Sequence, residues 1–134
     1  MKFVLDTTAF SAAMKHDPKL FAFLKQYRPG DVVTAPPVIA EIEYGIHRLD
    51  NISRKHSLLS SERDRLLSVI SVLSWTSESS KYFGTIKADL EKKGNLIDDF
   101  DIAIAAIAMA HNCSVITANL NHFRRIKELE SLSW

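Results

Sequence analysis

The stretch that decides the fold reads Ile97-Asp-Asp-Phe-Asp-Ile-Ala-Ile-Ala-Ala-Ile-Ala-Met-Ala110. From Ile102 onward it is apolar and rich in alanine, which predicts a helix. Asp101 lies in the first turn of that helix, on the same face as apolar residues three and four positions further along. A carboxylate directed into an apolar face is strongly destabilised unless it is protonated or partnered. We therefore expect a cap, a cation or a metal ion to meet Asp101.

Short apolar segments on both sides of this helix predict strands that alternate with helices. The predicted strands are residues 2–5, 32–35, 72–75, 113–117 and 131–134. Pro36 and Pro37 suit the first turn of the helix after the second strand. This alternation predicts an α/β protein, with a central, mostly parallel sheet of four to five strands and helices on both faces. We assign residues 1–134 to one domain of this kind.

Residues 51–72 form a longer amphipathic segment. Its apolar positions predict a stripe that faces the core, formed by Ile52, Leu58, Leu59, Leu66, Leu67 and Ile70. The pattern is compatible with one helix or with two helices separated near Ser60.

The composition excludes several classes of protein. A net charge of +1 argues against a uniformly basic nucleic-acid-binding protein, so a site for a polyanion must be a local patch. The single cysteine, Cys113, excludes an intramolecular disulfide and a cysteine-based zinc site. The five histidines show no paired spacing, and we interpret them as surface or partner-facing residues rather than zinc ligands. No apolar run is long enough for a membrane span and no signal peptide is visible, so we expect a cytoplasmic protein.

Acidic and hydroxyl side chains stand where the predicted strands end. Asp6 ends the first strand, Glu41 lies about one helical turn beyond the second, and Thr117 and Asn119 follow the strand after the central helix. Open parallel sheets place their functional sites at the carboxyl ends of the strands. We therefore expect these groups to converge with Asp101 at one edge of the sheet.

Carboxylates that are packed together repel one another unless a cation lies between them. A cluster of Asp6, Glu41 and Asp101 offers the hard oxygen ligands that suit Mg²⁺ or Mn²⁺. Asp98 is expected to cap the central helix, while Asp99 is balanced between capping and metal binding. Two such ions would activate water and stabilise the leaving oxygen of a phosphodiester. Taken singly, Asp6 would be read as a turn residue and Glu41 as an exposed helix acid.

Four segments carry a resemblance to a known family. They are Leu5-Asp-Thr-Thr8, Ile39-Ala-Glu-Ile-Glu-Tyr-Gly45, Ile97-Asp-Asp-Phe-Asp-Ile-Ala-Ile-Ala-Ala106 and Val115-Ile-Thr-Ala-Asn-Leu-Asn-His-Phe123. In this order and spacing the chain resembles the PIN-domain ribonucleases, in particular the VapC-type toxins of toxin–antitoxin pairs. The resemblance extends over nearly the whole sequence.

The resemblance implies a metal-dependent endoribonuclease that hydrolyses structured RNA such as tRNA or rRNA. By that match Asp6, Glu41 and Asp101 would be the catalytic residues and would bind one or two Mg²⁺ or Mn²⁺ ions. Thr7, Thr117 and Asn119 would support them. Asp99 is a candidate further ligand from its place in the acidic cluster rather than from the match. The implied partners are the RNA, a cognate antitoxin that covers the acidic site, and a second copy of the chain in a homodimer.

Three basic residues follow the last motif. Arg124, Arg125 and Lys127 are placed to hold RNA phosphates, with a solvated turn as the alternative reading.

Two other functional classes stay open from the sequence. Thr8 stands where the family usually has Asn, and Asn119 where many relatives have an acid. These departures motivate a catalytically weak or inactive PIN-like module that binds RNA or protein. A less favoured alternative is phosphoryl transfer through an aspartyl phosphate at Asp6. Enzymes of that kind commonly carry a second Asp at the position that Thr8 occupies.

Overall fold

Five short strands form one sheet in the computed structural model, which covers residues 1–134. In chain order they are β1 (Phe3–Leu5), β2 (Val32–Thr34), β3 (Ser71–Val72), β4 (Ser114–Ile116) and β5 (Ser131–Leu132). Their order across the sheet is β3-β2-β1-β4-β5, and every neighbouring pair is parallel. The predicted α/β class and the predicted parallel sheet are confirmed.

Seven α-helices and one short 3-10 helix (Pro29–Asp31) connect the strands. The α-helices are α1 (Thr7–Met14), α2 (Pro18–Leu24), α3 (Pro36–His47), α4 (Arg54–Leu67), α5 (Ser77–Lys92), α6 (Asp99–Ala110) and α7 (Leu120–Phe123). Proline occupies the first turn of α2 and of α3, where its missing N–H has no intrahelical partner to lose. None of these helices combines the length and the apolar character needed to cross a bilayer.

The strand order reverses at β1, the central strand of the sheet. Phe3 of β1 is in register with Val32 of β2 on one side and with Ser114 of β4 on the other. All residues of β1, β2 and β4 are buried. A reversal of strand order opens a crevice at the carboxyl ends of the strands, which is where α/β proteins bind ligands. Asp6 follows β1 directly at this crevice.

Helix α6 is the most deeply buried helix of the fold. Six of its residues between Ile102 and Ala108 are buried, and it packs against α5, α3 and β4. Asp98 caps it, with its carboxylate accepting a hydrogen bond from the N–H of Phe100 at 2.8 Å, as the sequence predicted. Burial on all sides between Ile104 and Ala108 and a cap at the start fix where Asp101 stands in the crevice.

The predicted apolar stripe over residues 51–72 is partly wrong. Helix α4 runs without a break, so no helix boundary falls near Ser60. Ile52 and Leu58 are 87% and 59% exposed, whereas Leu66 is buried. Ile52 precedes the N-cap residue Ser53, so the helical periodicity does not extend to it. Only the C-terminal half of α4 therefore contributes a fully buried residue to the core.

Candidate active site

Asp6 is the most buried carboxylate of the crevice, at 1% exposure. Its Oδ1 accepts hydrogen bonds from Thr8 Oγ1 at 2.6 Å and from the N–H of Ala9 at 2.9 Å, which makes Asp6 the N-cap of α1. Its Oδ2 accepts a hydrogen bond from Thr117 Oγ1 at 2.5 Å. Burial raises the pKa of Asp6 above its ordinary value; the three hydrogen bonds oppose the rise and the negative charge of Asp101 adds to it. Both oxygens are thus held in place, in a position where the charged form is destabilised.

The turn after β4 is tied to the same carboxylate. Thr117 is fully buried, and its Oγ1 also accepts a hydrogen bond from the N–H of Asn119 at 2.8 Å. Thr8 Oγ1 accepts one from the N–H of Ala118 at 2.9 Å. Thr8, at the position where the family usually has Asn, therefore bridges the start of α1 and the turn after β4. Thr117 supports Asp6 by direct contact, whereas Asn119 contributes its backbone N–H.

Glu41 reaches the crevice from the second turn of α3. One of its carboxylate oxygens accepts a hydrogen bond from Thr7 Oγ1. Burial raises the pKa of Glu41, the bond from Thr7 lowers it, and the negative charges of Asp101, Asp98 and Asp6 raise it further. The sequence predicted that carboxylates from the end of β1, from α3 and from the start of α6 would converge. The structure places them close enough for their charges to interact.

Asp101 stands in the first turn of α6 and is half-buried. Its Oδ2 lies 2.9 Å from Nδ1 of His122, on α7. The His122 side chain is 42% exposed, in keeping with its interpretation as a surface residue, but its contact with Asp101 was not predicted. The two residues are 21 positions apart, and only the packing of α7 against α6 brings them together. The one signal available in the sequence was the place of His122 inside the fourth motif.

Asp98 and Asp99 differ in what they contact. Asp99, the predicted further ligand, forms an ion pair with Lys87 of α5, with Nζ 3.0 Å from Oδ1. Asp98, predicted only as a cap, lines a surface depression together with Thr7, Glu41, Tyr44 and Phe100. Of the two, it is Asp98 that faces the region around Glu41.

The residues of this site fit a hard divalent ion by their chemistry. No three His, Cys, Asp or Glu side chains are grouped tightly enough, as they stand, to enclose a metal ion. Mg²⁺ does not require such a cage, since it keeps several waters and uses one or two carboxylates. Burial is the main cause of the raised pKa values of Asp6 and Glu41, and the negative charge of Asp101 adds to both, so their ionised forms are destabilised. A divalent cation is the partner that would stabilise those forms.

The three basic residues beyond α7 are exposed but have different surroundings. Arg125 Nη1 donates hydrogen bonds to the carbonyl oxygens of Asn95 and Leu96, both at 3.3 Å, and so fastens the loop before α6. The positive charge of Lys127 helps to lower the pKa of Asp89, after the larger effect of Lys93. Arg124 lines a shallow depression together with Asn119 and His122. Arg124 is thus the basic residue that shares a surface with His122.

Comparison with known proteins places this arrangement in a family. A family model described as PIN domain matches residues 3–129. The chain belongs to the PIN-domain family. The resemblance seen in the four sequence motifs is therefore confirmed.

Relatives of this PIN domain carry nuclease names. Ribonuclease VapC2 of Rickettsia felis is 28% identical over 136 residues, which cover 100% of this chain and 98% of that protein. The tRNA(fMet)-specific endonuclease VapC of Shigella flexneri is 24% identical over 134 residues, with coverage of 100% and 98%. The crystal structure of VapBC2 from Rickettsia felis, bound to a DNA fragment from their promoter, contains a chain that matches with a TM-score of 0.89. That match has 28% identity and covers 100% of this PIN domain and 99% of the other chain.

Proposed function

We propose that this PIN domain is a divalent-metal-dependent endoribonuclease and the toxin of a toxin–antitoxin pair. The observation that carries the proposal is the convergence of Asp6, Glu41 and Asp101 on one crevice, where the charge of Asp101 acts on both Asp6 and Glu41. The ribonuclease names of the full-length relatives support the same activity.

Asp6, Glu41 and Asp101 would hold one or two Mg²⁺ or Mn²⁺ ions. A bound ion supplies positive charge to a phosphodiester oxygen and makes a nearby water more acidic. The chain's own residues fix the geometry of the acids. Thr8 and Thr117 orient Asp6, and Thr7 orients Glu41.

Glu41 is the acid best placed to accept a proton. It is less buried than Asp6 and has one oxygen engaged by Thr7, and its raised pKa favours proton transfer from water. In the proposed reaction the water oxygen bonds to phosphorus as its proton passes to Glu41, and the bond from phosphorus to the 3′ oxygen breaks. The leaving 3′ oxygen takes a proton from solvent. The products are a 5′-phosphate and a 3′-hydroxyl.

The proposed substrate is a structured RNA, tRNA or rRNA. The Shigella flexneri relative, named as a tRNA(fMet)-specific endonuclease, supports a tRNA. Tyr44 and Phe100 are exposed aromatic residues in the depression beside Glu41. Exposed aromatic rings commonly stack on the unpaired bases of RNA loops. Arg124, on the same surface as His122, is the basic residue proposed to contact a phosphate.

The proposed partners and location follow from this activity. A cognate antitoxin that places a basic side chain on the carboxylates would inhibit such a ribonuclease. The VapBC2 match, in which a chain of similar fold is part of a complex, supports such a partner. We propose a homodimer as the assembly and the cytoplasm, where tRNA and rRNA reside, as the location.

Cleavage of purified RNA tests the proposal. We expect wild-type protein to cut RNA with Mg²⁺ or Mn²⁺ and to stop in excess EDTA. Asp6→Asn, Glu41→Gln and Asp101→Asn should each abolish cleavage with the fold intact. Glu91→Gln, at the exposed end of α5, is the matched control and should retain activity.

Two results would count against the proposal. Cleavage that persists in excess EDTA would remove the role of the ion. RNA binding by wild-type protein without any cleavage would favour a non-catalytic module.

A further inference from the structure

We infer that His122 is a positioning residue that holds the carboxylate of Asp101 in the orientation a divalent ion needs. The inference rests on the proposed function, because it assigns a role in the same metal centre. His122 Nδ1 lies 2.9 Å from Asp101 Oδ2, and the two side chains are 42% and 17% exposed. With Asp101 ionised, the ring nitrogen donates and the carboxylate accepts.

Asp101, like Glu41 and unlike Asp6, has a single hydrogen-bond partner for its carboxylate. Asp6 accepts three hydrogen bonds, and Glu41 accepts one from Thr7. His122 is the only side chain that bonds Asp101. Asp101 also lies near the negative charges of Asp6 and Glu41. Burial is the larger cause of their raised pKa values, and the charge of Asp101 adds to the rise. Without His122 this repulsion would turn the Asp101 side chain away from the other two acids.

The position of His122 is itself fixed by the fold. Phe123, the next residue, is fully buried and anchors α7. The turn before α7 is fastened to Asp6 through Thr117 and to Thr8 through the N–H of Ala118. The imidazole is thus presented to Asp101 from a rigid element, as second partners of metal-binding groups commonly are.

The bond from His122 leaves the other oxygen of Asp101 free. A hydrogen bond to Oδ2 fixes the plane of the carboxylate without occupying Oδ1. Removal of such an outer partner typically lowers metal affinity or activity by about 10–100-fold. We expect a loss of this size when the imidazole is removed.

The test measures Mn²⁺ binding by calorimetry and RNA cleavage for three variants of His122. His122→Ala should bind Mn²⁺ about 10–100-fold more weakly and cleave more slowly, with the melting temperature unchanged. His122→Asn carries an amide N–H near the place of Nδ1 and should recover most of both. His122→Gln carries its amide one carbon further out and should not. His47→Ala, an exposed histidine on α3, is the matched control and should behave as wild type.

The outcomes separate this inference from the proposed function. If wild-type protein binds Mn²⁺ and cleaves RNA, and His122→Ala does so equally well, the inference is wrong and the proposed function stands. If all three variants lose stability to the same extent and Asn rescues nothing, His122 has only a structural role and the inference is again wrong. If wild-type protein neither binds Mn²⁺ nor cleaves RNA, the proposed function fails and the inference fails with it.

Discussion

Replacing Thr117 with valine removes the hydroxyl group that links the end of β4 to the buried carboxylate of Asp6. Valine has nearly the same shape as threonine, so the substitution leaves no large cavity. The lost contacts are the 2.5 Å hydrogen bond to Asp6 Oδ2 and the 2.8 Å hydrogen bond from the N–H of Asn119. A threonine at this position is otherwise fully buried, so water does not readily replace the hydroxyl.

These two contacts set the expected loss of stability. A hydrogen bond to a charged group contributes about 1.5–3 kcal/mol, and a neutral one about 0.5–1.5 kcal/mol. We therefore expect Thr117→Val to reduce the free energy of unfolding by about 2–4 kcal/mol at neutral pH. Thr117→Ser keeps the hydroxyl and loses one buried methyl group, which corresponds to about 1 kcal/mol. The valine variant should therefore be the less stable of the two.

Urea unfolding at several pH values measures the difference. Burial already raises the pKa of Asp6, and the Thr117 hydrogen bond opposes that rise, so its loss raises the pKa further. The loss of unfolding free energy caused by Thr117→Val is then largest at neutral pH, where Asp6 is ionised. It decreases as the pH falls through the raised pKa of Asp6. A valine variant as stable as the serine variant, or a penalty independent of pH, would refute the reasoning.

Three further expectations follow from the same contacts. Asp6→Asn should raise the melting temperature at neutral pH while abolishing cleavage, because the pKa of Asp6 is higher in the folded than in the unfolded protein and its ionisation therefore opposes folding. The gain in melting temperature should vanish as the pH falls below the raised pKa of Asp6. A lower melting temperature at neutral pH would contradict this expectation. As the pH is lowered, the affinity for Mn²⁺ should start to fall at a pH above the ordinary pKa range of carboxyl groups, because burial raises the pKa of both Asp6 and Glu41. An affinity that stays constant down to that ordinary pKa range argues against this expectation. Ile104→Ala, in the fully buried face of α6, should cost about 2–5 kcal/mol in chemical denaturation, and a cost below 1 kcal/mol is the contrary result.

The parts of the site that follow from topology could be predicted from the sequence. Asp6 and Thr117 end neighbouring parallel strands, so their proximity follows once both strands are assigned to one sheet. Asp98 as the cap of α6 follows from its place before an apolar helix. Each of these predictions needs only the position of a residue relative to the end of its own element.

The parts that depend on the packing of one element on another could not be predicted. The contact of His122 with Asp101 requires the docking of α7 against α6, which no local pattern specifies. The different surroundings of Asp98 and Asp99 arise because Asp98 is the N-cap, with a non-helical backbone, whereas Asp99 is the first residue of the helix. Lys87 then engages Asp99 and leaves Asp98 beside Glu41.

The exposure of Leu58 has a similar origin. Its apolar character predicted burial, but the N-terminal half of α4 is only partly covered: Leu59 packs against the core, whereas Leu58 is exposed. A sequence pattern shows which face of a helix is apolar, and the arrangement of neighbouring helices decides how much of that face is covered.

Calorimetric titration of Mn²⁺ into wild-type protein and into the Asp6→Asn/Asp101→Asn double variant tests the shared centre most directly. Asp64→Asn, an exposed acid on α4, serves as the control. Saturable binding by the wild type and the control, and none by the double variant, is the predicted result. Equal binding by all three proteins would show that acids elsewhere on the molecule hold the ion.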